Sequence, residues 1–273
     1  MKAMRPPERK LCRIILLALP LVLILGLAII NYLHPRPAFF RNAEANRDIL
    51  IAHAGGGLDG LHYTNSRQAL EAAIAAGFKF IELDLLLTCD GHLAAVHDWA
   101  HFRKISGGPE SEACLDLADF KSRTIHGRLG VLGAGEINEI FSRHPGLYLV
   151  TDKIRDFEAL TGQLNLPAER LLVEVFSYKD YVKALRKGLY PMLSIGSAKR
   201  FRQYRGRFFF DRIAMIAIPQ TLIPELEKEL ADLRDKGVVI FAFTANDSDY
   251  VKKYINRSVT GFYTDDLRPS AVQ

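Results

Sequence analysis

Two carboxylates interrupt an apolar run near the start of the chain. Glu82 and Asp84 lie two positions apart within residues 80–86, which otherwise hold only Phe, Ile and Leu and are predicted to form a buried strand. This spacing puts both carboxylates on one face of the strand. Two buried carboxylates are costly unless positive charge lies between them. The pair therefore predicts a site for one divalent cation that prefers oxygen ligands, Mg2+ or Ca2+.

Two histidines are predicted to lie beside these acids. His53 ends the preceding apolar run, at residues 48–54. Asp90-Gly91 is typical of a tight hairpin turn, and the short return strand at residues 93–97 would place His97 opposite about Leu83. Because an imidazole with a pKa near 6.5 can give or take a proton near neutral pH, the pair could serve as general acid and base.

Eight apolar runs alternate with helical stretches and would position these residues. The runs are residues 48–54, 80–86, 147–151, 171–176, 192–195, 213–218, 238–244 and 261–265, and the plainest helices are residues 66–76, 179–187 and 223–236. This alternation predicts a parallel sheet closed as a (β/α)8 barrel, with an open doubly wound sheet as the alternative. In a barrel the chemistry lies at the carboxyl ends of the strands.

Composition and charge narrow the class of protein. The 273 residues are 49% hydrophobic and 25% charged, which excludes a disordered or collagen-like chain. The net charge of +5 comes mainly from residues 1–13, which hold five bases and one acid. The remainder carries only +1, so the charge does not indicate a nucleic-acid partner.

The basic head precedes a candidate membrane segment. Residues 14–30 contain no charged side chain, and a helix over residues 14–33 would be about 30 Å long, enough to cross a bilayer. We expect an uncleaved signal anchor, because the run is longer than a usual signal core and no Ala-x-Ala site follows. Residues 1–13 would then stay cytoplasmic, residues 34–45 would be a linker, and the domain at residues 46–273 would be periplasmic or extracellular. Cys89 and Cys114 could pair, although their spacing indicates no disulfide framework.

Several motifs together resemble one enzyme family. They are His-Ala-Gly at 53–55, Thr-Asn-Ser at 64–66, Ile-Glu-Leu-Asp at 81–84, Thr-Cys-Asp-Gly at 88–91 and Val-His-Asp at 96–98. Their order and spacing resemble the glycerophosphodiester phosphodiesterase family, within the superfamily of phosphatidylinositol-specific phospholipase C-like phosphodiesterases. The resemblance is dense over residues 49–98 and weaker to the end of the chain. It implies a TIM barrel that cleaves phosphodiesters with one divalent metal and two histidines.

The resemblance also implies roles for individual residues. Glu82 and Asp84 match the metal ligands, and His53 and His97 match the acid and base, in an order that sequence does not assign. The family places a third metal-binding Glu two residues before a lysine.

Here strict spacing puts Thr151 at that position, so we choose the nearest carboxylate, Asp152, as ligand and keep Glu174 in reserve. Lys153 matches the family lysine and would neutralise phosphate.

Some positions depart from the family pattern. Ala54 stands where the family has a phosphate-binding arginine, and the glycines that begin at Gly55 either offer amides to the phosphate instead or only provide flexibility. Asn65 is retained, as a substrate-site residue or as a helix cap. Phe243 stands where the family often has tryptophan, and either stacks on substrate or belongs to the core. Weaker candidates for the pocket are Tyr178, Asn246, Asp265 and Trp99.

These observations favour a membrane-anchored, outward-facing, metal-dependent phosphodiester hydrolase. Its substrate would be a glycerophosphodiester, a phospholipid head group or a phosphodiester-linked surface glycan. A sphingomyelinase D-like or phospholipase C-like lipase is the alternative within the enzymes. A catalytically silent binding barrel is the alternative outside them, favoured by the missing arginine and the displaced third acid. The sequence leaves the oligomeric state open.

Overall fold

Eight short parallel strands close into a barrel in the computed structural model, which describes residues 49–109, 111–210 and 213–271 together with Pro20. The strands are β1 (Ile49–Ala52), β2 (Phe80–Leu87), β6 (Tyr148–Asp152), β7 (Leu171–Val175), β8 (Tyr190–Ser194), β9 (Met215–Pro219), β10 (Val239–Phe243) and β11 (Gly261–Thr264). Each strand pairs with the next, and β1 pairs with both β11 and β2. The predicted (β/α)8 barrel is therefore confirmed, and the open sheet is excluded because no barrel strand is left at an edge.

Alternate side chains of each strand face the barrel interior or the surrounding helices. Interior positions carry bulky residues that pack on one another, such as Phe80, Val150, Met192 and Phe241. The outward positions form a larger apolar layer with the helices. Burial on both faces explains why the strands read as continuous apolar runs in the sequence.

Ten α-helices lie in the described residues. They are α1 (Arg67–Ala75), α2 (Trp99–Ile105), α3 (Leu117–Lys121), α4 (Ala134–Arg143), α5 (Phe157–Gln163), α6 (Tyr178–Arg186), α7 (Ala198–Tyr204), α8 (Arg207–Phe210), α9 (Ile223–Asp235) and α10 (Ser248–Tyr254). The three helices predicted most plainly from sequence, α1, α6 and α9, are confirmed within about two residues at each end. Serine side chains cap the first two of these three, at Ser66 and Ser177.

An excursion between β2 and β6 covers one side of the barrel mouth. β3 (Leu93–Ala95) returns antiparallel to β2, as the Asp90-Gly91 turn predicts. The helices α2 and α3 and a small hairpin of β4 (Thr124–Ile125) and β5 (Leu129–Gly130) follow. A satellite core that includes Trp99 holds this excursion together, and a disulfide between Cys89 and Cys114 ties the turn after β2 to the segment between α2 and α3.

No helix of the described residues is both long enough and apolar enough to cross a bilayer. Apart from Pro20, the predicted anchor at residues 14–33, with the basic head before it and the linker after it, lies outside the part of the chain that the structure describes.

Candidate active site

Three carboxylates meet inside the barrel mouth. Glu82 and Asp84 on β2 and Asp152 on β6 each place an oxygen within 4.8 Å of the others. Glu82 and Asp84 are both 3% exposed. The predicted pair is therefore brought together on one face of β2, and a third acid joins it from the neighbouring strand.

The register between β2 and β6 decides which residue is the third acid. Asp84 pairs with Asp152, and Leu83 pairs with Thr151. Because paired residues of adjacent strands point to the same face, Asp152 faces the interior with Asp84. Leu83 belongs to the apolar layer under the helices, so Thr151 faces the same way. The choice of Asp152 over the strict family position agrees with this geometry.

The acid cluster is electrostatically unfavourable without a cation. Burial, and then the charges of Asp84 and Asp152, hold the pKa of Glu82 well above its usual range. Burial, and then Asp84 and Glu174, raise the pKa of Asp152 to about 9. Asp152 also has a buried Oδ1 without a hydrogen-bond partner among the described residues. Three convergent carboxylates, one of which has an oxygen without a hydrogen-bond partner, fit a hard divalent cation.

Lys153 offsets part of this negative charge. Its Nζ lies 3.5 Å from Asp152 Oδ2 and 3.9 Å from Asp84 Oδ1. Burial alone would lower the pKa of Lys153, but the two carboxylates outweigh it and the pKa is raised. The side chain is partly exposed and lines the cavity, so an ammonium group faces any anion that enters.

Backbone and amide groups orient two of the three acids. The amide of Ala54 donates to Glu82 Oε2 at 2.7 Å. Asn65 donates from Nδ2 to Asp84 Oδ2 at 2.9 Å and accepts from the Asp84 amide at 3.0 Å. The helix-cap interpretation of Asn65 is wrong, because the cap of α1 is Ser66. Asn65 instead holds Asp84, with a backbone φ of +48°.

The glycines after Ala54 make a tight turn. The amide of Gly56 donates to the His53 carbonyl, and that of Gly57 donates to the Asp265 carbonyl. A Cβ on Gly57 would lie 2.4 Å from that carbonyl oxygen, so the close approach requires glycine. Gly55 packs on α1 near Ala69 and Leu70. A contact between Gly55 and phosphate stays a prediction, and the packing of this glycine against α1 does not favour it.

His53 is held by an acid from the other end of the chain. Its Nδ1 lies 2.8 Å from Asp265 Oδ1, and Asn246 donates to Asp265 Oδ2 at 2.9 Å. Burial alone would raise the pKa of Asp265, but hydrogen bonds from His53 and Asn246 outweigh it and the pKa is lowered. An ionised Asp265 accepts only, so Nδ1 of His53 carries the proton and Nε2 is left for chemistry. Asp265 and Asn246, weak candidates from sequence, are positioning residues.

His97 has a similar arrangement built from its own neighbour. Its Nδ1 lies 2.6 Å from Asp98 Oδ2, and Asp98 Oδ1 caps α2 by accepting from the His101 amide. The amide of Val96 donates to the Asp84 carbonyl, which extends the β2–β3 pairing toward His97. The hairpin prediction for His97 is confirmed.

A cavity of about 230 Å3 joins these groups. Both histidines, the three acids and Lys153 line it, together with Glu174, Tyr63, Phe176, Phe243, Thr244 and Tyr263. The reserve acid, Glu174, is buried and accepts a hydrogen bond from the Tyr263 hydroxyl at 2.9 Å. Phe243 lines the wall and also packs against the barrel core, and its ring meets Tyr263 edge-on.

Sequence reasoning did not single out Tyr63. Its ring lies 4.7 Å from the His53 ring and 5.8 Å from the His97 ring, edge-on to both. No local pattern marks it, because the contact with His53 depends on a left-handed backbone at Tyr63, with φ of +56°. Trp99 and Tyr178 are not among the cavity-lining residues: Trp99 packs in the satellite core, and Tyr178 begins α6.

Comparisons with known proteins agree with this geometry. Residues 56–141, which include Glu82, Asp84 and His97, match the model of the glycerophosphoryl diester phosphodiesterase family. A curated glycerophosphodiester phosphodiesterase of Caldanaerobacter subterraneus is 27% identical over 251 residues, covering 81% of this chain and 95% of the relative. The resemblance of this chain to the glycerophosphoryl diester phosphodiesterase family is thereby confirmed. These similarities indicate a phosphodiesterase enzyme, as the motifs predict.

Solved structures share the barrel of this chain. A glycerophosphodiester phosphodiesterase of Thermotoga maritima superposes with a TM-score of 0.63 at 23% identity, covering 80% of this chain and 94% of its own. A phosphodiesterase of Oleispira antarctica, solved with the product sn-glycerol-3-phosphate, superposes with a TM-score of 0.65 at 22% identity, covering 85% and 97%. These similarities support the fold.

Proposed function

We propose that this protein is a divalent-cation-dependent phosphodiesterase of glycerophosphodiesters that works with His53 and His97 as its acid–base pair. The observation that supports this proposal is the convergence of two carboxylate-backed imidazoles and three carboxylates, two of them buried, on one cavity. A binding module has no need of two imidazoles that each keep one nitrogen free.

Glu82, Asp84 and Asp152 would hold the cation, which when bound would polarise a phosphoryl oxygen and orient the attacking hydroxyl. Lys153 would lie beside the phosphoryl group and stabilise its negative charge. Lys153 lies in the cavity wall. The chain lacks the phosphate-binding arginine that the family usually has, so this lysine would supply positive charge in its place.

The two histidines would move the protons. One imidazole accepts a proton at Nε2 from the attacking hydroxyl, which belongs to water or to a neighbouring alcohol of the substrate. The other donates a proton from Nε2 to the leaving oxygen, so the leaving group departs as an alcohol. Asp265 and Asp98 fix both rings through Nδ1 and stabilise each imidazolium when it forms.

The test uses the full chain in mild detergent, with a generic activated phosphodiester and glycerophosphocholine as substrates. Each is assayed with Mg2+, with Ca2+ and with chelator. Turnover should require a cation and should fall by about 10²- to 10⁴-fold in His53→Ala. Glu82→Ala removes one of the three carboxylates that would hold the cation and should be inactive. His144→Ala and Glu227→Ala, on exposed residues, are matched controls that should retain activity.

Two other outcomes separate the alternatives. Cation binding by calorimetry without turnover would point to a lipase specificity, and sphingomyelin and phosphatidylinositol would then be assayed. Neither binding nor turnover would refute the enzyme and favour the silent barrel.

We further propose that the barrel acts on the outer side of a membrane, held by the predicted anchor at residues 14–33. The disulfide between Cys89 and Cys114 supports this, because disulfides persist in oxidising compartments. Protease added outside intact cells, or outside spheroplasts where an outer membrane is present, should degrade the barrel. Protection in both preparations would refute this location.

A further inference from the structure

Charge within the barrel is strongly segregated along the chain. Residues 176–207 carry nine lysines and arginines but a single acid, Asp180. The rest of the chain after residue 13 carries 22 bases and 29 acids. The nearly neutral total therefore conceals a basic segment. This segment runs from the end of β7 through α6, β8 and α7 into α8, and β7 and β8 are adjacent strands, so the charge lies on one side of the barrel.

Much of this charge is unpaired. Lys179, Lys199 and Arg205 are exposed and form no ion pair among the described residues. Arg202 differs, since it binds Glu225 at 3.0 Å. A surface with several free cations has a positive potential that attracts anions over about a Debye length.

Stacked arginines and tyrosines connect this charge to the active-site mouth. The Arg207 guanidinium lies 4.1 Å from the centre of the Tyr178 ring, which lies 6.5 Å from the Tyr204 ring. The Arg200 guanidinium lies over the Tyr204 ring, 5.8 Å from its centre, and donates a hydrogen bond to the Phe176 carbonyl. Phe176 lines the catalytic cavity and is 39% exposed.

We call this surface the basic rim: Lys179, Lys199, Arg200, Arg205 and Arg207 with the aromatic residues Phe176, Tyr178 and Tyr204. Its residues begin at the carboxyl end of β7, the end of the barrel at which the acids and histidines lie. An object bound at the rim would therefore lie next to the cavity mouth.

We propose that the basic rim docks the barrel onto an anionic phospholipid bilayer. Lysine and arginine side chains bind the negative surface of such a bilayer, each contributing about a fivefold gain in binding. Tyrosine rings and an exposed phenylalanine suit the boundary between head groups and acyl chains, which a soluble polyanion does not offer. Docking would bring the cavity to head groups at the surface. The proposal is tested without turnover, so it stands or falls separately from the catalytic function.

The test reconstitutes the full chain in nanodiscs of phosphatidylcholine alone or with about one third phosphatidylglycerol. Hydrogen exchange is measured at the backbone amides of residues 198–208. We expect exchange to slow by at least about fivefold in the anionic discs, and about 0.5 M NaCl to remove the effect by screening.

The decisive variant is Lys179→Glu/Lys199→Glu. Both lysines are the second residue of a helix, α6 and α7, where an acid is favourable to the helix dipole, so the fold should persist. The protection by anionic lipid should be lost. Lys79→Glu/Lys228→Glu makes the same charge change on exposed residues away from the rim and should keep the protection.

Three results would overturn the proposal. Exchange could be the same in the two kinds of disc. The rim variant could be protected as strongly as the control variant, which would assign the effect to residues 1–13. Lipid-free polyphosphate at equal charge could protect residues 198–208 more strongly than the anionic discs, which would make a soluble polyanion the partner.

Discussion

Replacing Asp152 by asparagine should change how stability depends on pH. Without a cation, the folded protein keeps Asp152 protonated up to about pH 9, whereas the unfolded chain ionises it near its ordinary value of 3.8. Because the folded pKa is the higher one, the stabilising contribution is complete below about pH 3.8 and is lost as the pH rises towards about 9. Over the pH range in which the folded protein binds one more proton than the unfolded chain, the unfolding free energy falls by about 1.4 kcal/mol for each unit that the pH rises. Between about pH 5 and pH 8 the wild type should lose about 4 kcal/mol through this residue.

Urea unfolding of the full chain in chelator, at intervals across that pH range, measures this directly. Asp152→Asn should remove about 1.4 kcal/mol per pH unit from the slope and should be the more stable protein at about pH 8. Asp232→Asn, on an exposed position of α9, should keep the wild-type slope. Parallel pH profiles for wild type and Asp152→Asn would refute the buried cluster as described. Adding Mg2+ or Ca2+ should stabilise the wild type most at high pH, where the acids are free to bind a cation.

Three further changes have defined outcomes. Asp265→Asn should lower kcat by about 10²-fold or more with a normal circular dichroism spectrum, because the His53 ring loses its carboxylate; an unchanged kcat would remove Asp265 from the site. Asn65→Ala should weaken cation binding by about 10- to 100-fold in calorimetry, because Asp84 loses both of its contacts with this side chain; unchanged affinity would contradict that role. Replacing Cys89 and Cys114 by serine should lower the unfolding free energy by about 3 kcal/mol, for a loop of 25 residues, and equal urea midpoints would show that the bond contributes nothing.

Local pattern predicts the barrel well because each of its strands is buried on both faces. A strand with the interior on one side and helices on the other must be apolar throughout, so its position is legible in sequence. The same rule makes exceptions visible: Glu82 and Asp84 break an apolar run at a spacing of two, and this spacing alone places them on one face. His97 is also local, since a tight turn fixes where the return strand goes.

Other parts of the site depend on contacts between distant segments. His53 and Asp265 are separated by 212 positions and meet only because β11 closes the barrel against β1. The role of Asp152 depends on the register of β6 beside β2, which no pattern within either strand reveals. The fit of Gly57 against the Asp265 carbonyl is of the same kind.

The sequence by itself therefore determined the strand pattern, the paired acids of β2 and the hairpin histidine, because these follow from burial and from the geometry of a few consecutive residues. The tertiary structure alone decided that Asp152, which the sequence offered together with Glu174, joins the paired acids. It also decided the carboxylate behind His53, the contact of Tyr63 with both imidazoles and the joining of two helices into the basic rim. Barrel closure and strand register are collective properties of the chain, and they set which distant side chains come within hydrogen-bond or Coulomb distance.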